Sequence, residues 1–139
     1  MERFKGWYQL QHDKHQKEKQ RTAQIEQNRA KKAEEARLMR EKKQAWKLYS
    51  DTVWKLTKAQ PLHTLPNYDK RDFTTYQLDH IVSVTDGFRY GLPCDWIADI
   101  SNLRIIEASA NMIKGMKSEP EPLTKMLQRA KSSNSTISG

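Results

Sequence analysis

Apolar positions change rhythm several times along this chain. Residues 12–43 are dominated by Lys, Gln, Glu, Arg and Ala, with no Pro or Gly. These good helix formers predict a helix without an apolar stripe. Its only large aliphatics, Ile25, Leu38 and Met39, are too few for a sustained coiled-coil seam. From Trp46 the pattern turns amphipathic: Trp46, Tyr49, Val53 and Leu56 recur at i, i+3, i+7 and i+10. Pro61 and the LHTLPNYDKRDF stretch end that second helix. A β-branched run over 76–84 follows, then a turn-rich excursion over 83–101 holding Gly87, Gly91 and Pro93. Within it, residues 93–97 read as a short helix start with Pro93 near the first turn. Trp96 and Ile97 are expected to tuck this insert onto the core. A second apolar run spans 103–106, and a short helical pattern over 108–114 stops at Gly115. Strand, loop, strand, helix is the predicted order.

The ends read differently. Phe4, Trp7, Tyr8 and Leu10 form an apolar cluster ahead of the polar segment, read as a local cap or docking patch. Beyond Gly115, Pro120 and Pro122 are expected to break any helix. SSNSTISG reads as disordered by composition, with at most one loose basic helix over 123–131. The predicted organisation is a basic helical arm over 1–45, a domain with its packing helix over 46–118, and a flexible C-terminal tail over 119–139.

Composition narrows the class. At 139 residues, 36% hydrophobic and 30% charged, the chain has room for one small core, placed where the aromatics lie between Trp46 and Ile113. A net charge of +8 favours a polyanionic partner, nucleic acid before anionic membrane. The single cysteine, Cys94, excludes an intramolecular disulfide and a Cys-based zinc knuckle. No apolar run is long enough to span a bilayer, and MERFKGWYQL lacks the apolar stretch of a signal peptide, so a cytoplasmic protein is expected. Between 13 and 43 the arm carries eleven Lys/Arg and six Asp/Glu. It reads as a solvated helix, as a basic arm along phosphates, or as a dimerisation element. His12 and His15, with no further ligand nearby, do not suggest a metal site.

Asp79, His80, Asn102 and Asn111 carry the candidate chemistry. Metal-assisted phosphodiester hydrolysis needs a hard oxygen ligand for Mg²⁺, a base to deprotonate water, and a group orienting that base. The segments LDHI, ISNLRII and NMIKG, with nine residues from Asn102 to Asn111, resemble the HNH endonucleases in their His-Asn-Asn variant. The likeness covers roughly residues 46–117. It implies an α+β chain with a small ββα-metal domain, here without a zinc knuckle and preceded by the long N-terminal helix. It also implies a phage-type enzyme, at work in the cytoplasm of a bacterial host, that nicks or cuts double-stranded DNA to leave 5′-phosphate and 3′-hydroxyl ends. In those terms His80 is the general base, Asn102 orients it by bonding the His80 loop, and Asp79 and Asn111 hold Mg²⁺ or Mn²⁺. Neighbours on an ideal strand face opposite ways, so Asp79 and His80 share a site only if the strand end is distorted. Lys70, Arg71, Arg104 and Lys114 are candidate phosphate contacts. Neither a membrane nor a small-molecule cofactor is expected, and phage packaging or host proteins are the further partners considered. The competing class is a DNA-binding or packaging accessory protein that keeps such a scaffold without efficient cleavage. An RNA-binding module lacks support, since no RNP-like strand or GXXG loop is present.

Overall fold

The computed structural model describes residues 2–72 and 74–137, and the chain divides into two compact units, 1–44 and 45–139. The fold is α+β, mostly helical, with one two-stranded antiparallel sheet. Helix α1 runs from Glu2 to Lys58, and its 57 residues include both helices expected from the sequence. Nothing local separates them: the first Pro is Pro61, and Gly6 is the only Gly before it. Spaced side-chain pairs add support, such as Gln24 to Asn28 at 3.1 Å and Arg37 with Glu34 and Glu41. Each exposed pair contributes only a few tenths of a kcal/mol, about 0.2–0.5. In the first unit every described side chain from Arg3 onward is exposed, as expected without an apolar stripe. Phe4, Trp7, Tyr8 and Leu10, ahead of the polar segment, belong to α1 as well, and all four are exposed.

The second unit builds its core on the C-terminal part of α1. Val53 is fully buried beside Val82, Leu92, Ile97 and Ala98, with Tyr49 and Leu56 packed around them. Trp46 meets Phe88 edge-on at 5.4 Å, and the Tyr49 hydroxyl donates to the Leu92 carbonyl at 2.8 Å. Strand β1 (Tyr76–His80) is shorter than the apolar run suggests and pairs with β2 (Leu103–Glu107), placing Asp79 opposite Arg104 and His80 opposite Leu103.

Between the strands the excursion holds two short helices. α3 (Cys94–Ala98) starts after Pro93 and buries Ile97, while Trp96 packs against the core, as the sequence suggests. α2 (Val84–Arg89) is not predicted by the sequence pattern, because Gly87 reads as a breaker. Ser83 caps it by accepting from the Asp86 amide at 3.0 Å. Gly87 is there for space: a Cβ would come within 2.7 Å of Ile97 Cγ1 and collide with the Tyr49 hydroxyl. α4 (Ala108–Lys114) follows β2 directly and ends at Gly115, whose φ of +59° favours glycine.

The C-terminal segment corrects the expectation of a flexible tail. Pro120 to Ile137 form α5, with Pro120 and Pro122 in its first turn, where the missing N–H has no intrahelical partner to lose. Leu123, Met126, Leu127 and Ala130, at i, i+3, i+4 and i+7, pack against the core. The Arg129 guanidinium lies 3.8 Å from the Trp96 ring centre. Of the SSNSTISG stretch, residues 132–137 continue α5 and the last two lie outside the described residues. No helix among the described residues is long and apolar enough to cross a membrane.

Candidate functional site

The last two residues of β1 carry the site and face different neighbours. Asp79, 5% exposed, is turned toward β2 and α4. Its Oδ2 accepts from Arg104 Nε at 2.8 Å, the cross-strand partner in register. Its Oδ1 accepts from Lys114 Nζ at 2.9 Å, and the same ammonium donates to the His80 carbonyl at 2.8 Å. Arg104 also reaches Glu119 at 2.9 Å. Arg104 and Lys114, expected as phosphate contacts, are both paired with carboxylates of the protein, and about a third of the Arg104 side chain (33%) stays exposed. Lys114 is nearly buried, so its charge is answered by Asp79 and not by solvent.

His80 turns the other way, toward α1. Its Nε2 lies 3.0 Å from Thr57 Oγ1, and its ring meets Trp54 edge-on at 4.9 Å. Burial pushes the imidazole down to about 4; Asp79 works against this and Lys114 with it. At neutral pH the ring is uncharged and can accept a proton, although it is a weaker base than a near-neutral histidine. Thr57 and Trp54 were missed in the sequence. Thr57 follows Val53 by one helical turn on the buried face, the one signal that could have drawn attention to it. The two orientations still meet, because a cavity of about 200 Å³ at the strand end is lined by Trp54, Asp79, His80, Asn111 and Lys114.

Asn102 orients backbone rather than the imidazole ring. It is buried, its Oδ1 accepts from the Val82 amide at 2.8 Å, and its Nδ2 donates to the carbonyls of Val82 at 3.0 Å and Ile97 at 2.8 Å. Its own carbonyl accepts from the Ile81 amide at 2.9 Å. The turn leaving His80 is thereby pinned to the start of β2, and the ring itself is held by Thr57 and Trp54. Asn111, projecting from α4, donates from Nδ2 to Gln77 Oε1 at 2.9 Å. Lys70 and Arg71 are exposed ahead of β1, with the Lys70 ammonium 5.6 Å from the Tyr76 ring centre.

A hard divalent ion would find suitable donors here in kind: the Asp79 carboxylate and the Asn111 amide line one cavity. In the observed packing both Asp79 oxygens are paired with protein cations, so an ion would compete with Lys114 and Arg104 for the carboxylate. Among the described residues no three of His, Cys, Asp and Glu cluster closely enough to hold a metal by themselves. Comparison with protein-family models, with curated proteins and with solved structures finds no match for this chain.

Proposed function

We propose that this chain is a metal-dependent endonuclease of the HNH type that hydrolyses phosphodiester bonds in DNA. The observation that carries the reading is the convergence of Asp79, His80 and Asn111 on one cavity, at the junction of a β-hairpin and the helix that follows it. His80 accepts the proton of the attacking water, a role open to it because burial keeps the ring neutral. Asn102 holds the turn after His80 in place, so the ring is presented from a fixed backbone. Asp79 and Asn111 would hold Mg²⁺ or Mn²⁺, which when bound neutralises charge building on the phosphate. Lys114, which lines the same cavity while paired with Asp79, would hold a phosphate oxygen there. The net charge of +8 and the exposed Lys70 and Arg71 supply sequence-independent attraction for the duplex.

Two observations favour the second reading, a DNA-binding or packaging accessory protein with little cleavage. Asp79 is already neutralised by Lys114 and Arg104, and His80 is a weak base. Supercoiled plasmid incubated with Mg²⁺ or Mn²⁺ separates the two. The nuclease reading expects nicked or linear product from the parent, with His80→Ala inactive and its DNA affinity nearly unchanged. Asp79→Ala should weaken metal activation more than Asn111→Ala, since it removes the charged donor. Equal nicking by parent and His80→Ala would remove His80 from the reaction, and a parent that binds without cutting would favour the accessory role.

A further inference from the structure

We propose that Thr57 is a positioning residue that sets the tautomer of the neutral His80 ring, leaving the lone pair on Nδ1. The inference rests on the reading of His80 as proton acceptor, but its first test does not. Thr57 is 0% exposed, on the inward face of α1. Its hydroxyl donates to the Val53 carbonyl one turn earlier at 2.7 Å. A hydroxyl has one proton to give, and a carbonyl can only accept. With that proton spent on Val53, Oγ1 offers His80 Nε2 a lone pair at 3.0 Å, a contact that is a hydrogen bond only if Nε2 carries the hydrogen. A neutral imidazole has one N–H, so the lone pair lies on Nδ1.

The rest of the pocket agrees. His80 Nδ1 makes no hydrogen bond to another described residue, and among the described residues no buried side-chain nitrogen or oxygen lacks a partner. His80, only 6% exposed, lines the cavity with Asp79 and Asn111. Trp54 meets the His80 ring edge-on at 4.9 Å. Reversing the tautomer would force Thr57 to turn its hydrogen from Val53 to His80, losing one hydrogen bond for each ring so oriented. An ordinary net hydrogen bond corresponds to a bias of roughly three- to tenfold.

The test uses the full chain, ¹⁵N-labelled at histidine, with His80 assigned by comparison with His80→Gln. Long-range imidazole correlations at neutral pH report which nitrogen carries the hydrogen. The parent should show the Nε2–H form at His80. Thr57→Val, isosteric but without a hydroxyl, should shift the ring toward a mixture, and Thr57→Ser should restore the parent pattern. In plasmid nicking, Thr57→Val should slow turnover at saturating DNA by roughly three- to tenfold. Thr57→Ser should stay near the parent, and the DNA Kd should not change. A parent spectrum with Nδ1–H overturns the proposal at once, even if Thr57→Val fails to fold. So does Thr57→Val with an unaltered tautomer. If the tautomer responds as expected while no form of the protein nicks DNA, the assignment of Thr57 stands and the nuclease reading falls.

Discussion

Replacing Asn102 with alanine removes one side chain and leaves three main-chain groups without their partners. The Val82 amide, the Val82 carbonyl and the Ile97 carbonyl each lose a hydrogen bond of 2.8–3.0 Å in a buried setting. An unsatisfied buried group costs about 1–3 kcal/mol, and water entering the vacated space recovers part of it, so a net loss of about 3–5 kcal/mol is expected. Asn102→Asp is the sharper probe. Its Oδ1 can still accept from Val82, but an ionised Oδ2 would face two carbonyl oxygens that today receive a hydrogen from Nδ2. Protonation turns that oxygen into a donor, so the folded-state pKa of the new carboxyl rises above its unfolded value of about 3.9. A raised pKa gives stability that is fully present below the unfolded value and is lost as pH rises through the folded one. The variant should therefore lie nearest to the parent at about pH 4 and fall away toward pH 7. A shift of roughly 2 units corresponds to about 3 kcal/mol across that window. Urea denaturation of parent and variant at matched pH measures the difference, and the acid weakening of the parent by His80 cancels in the comparison. If Asn102→Ala falls within about 1 kcal/mol of the parent, or the Asp variant's deficit does not shrink on acidification, Asn102 does not hold the turn as described.

Gly87→Ala puts a methyl group against Ile97 and the Tyr49 hydroxyl, and overpacking of this kind should cost about 1–3 kcal/mol in thermal or urea unfolding. An unchanged midpoint would mean that α2 shifts freely. Removing residues 120–139 strips the face formed by Leu123, Met126, Leu127 and Ala130 from the core. It should destabilise the second unit by about 2 kcal/mol or more, whereas a dispensable tail would leave the denaturation curve in place. Deleting residues 1–43 removes, among others, the eleven of the 25 Lys and Arg that lie between 13 and 43. If the arm lies on DNA, the log–log salt slope should fall by roughly 0.9 for each phosphate that the arm had neutralised, and binding should weaken evenly across sequences. An identical slope and affinity after truncation would leave the arm as a spacer or a protein-docking element.

The elements that depend on near neighbours were legible in the sequence. α4 and its stop at Gly115 follow from a short periodic pattern and a residue that tolerates positive φ. The helical character of α1 follows from good helix formers with no Pro before 61, although the change of pattern at Trp46 suggested a break that nothing in the backbone demands. α5 was not expected beyond a loose helix over 123–131, although its apolar stripe sits at helical spacing and a Pro in the first turn begins a helix as readily as it ends one. The grouping of Asp79, His80 and Asn111 came from their order along the chain, and the fold brings them to one cavity. What only the tertiary structure decided is which group each of them meets. Lys114 reaches Asp79 across 35 positions and Thr57 reaches His80 across 23, through strand register and the docking of two helices that no local pattern encodes. Charge alone made Lys114 and Arg104 look like phosphate ligands. Their pairing with Asp79, which a one-dimensional reading does not contain, comes from the strand register and the docking of α4.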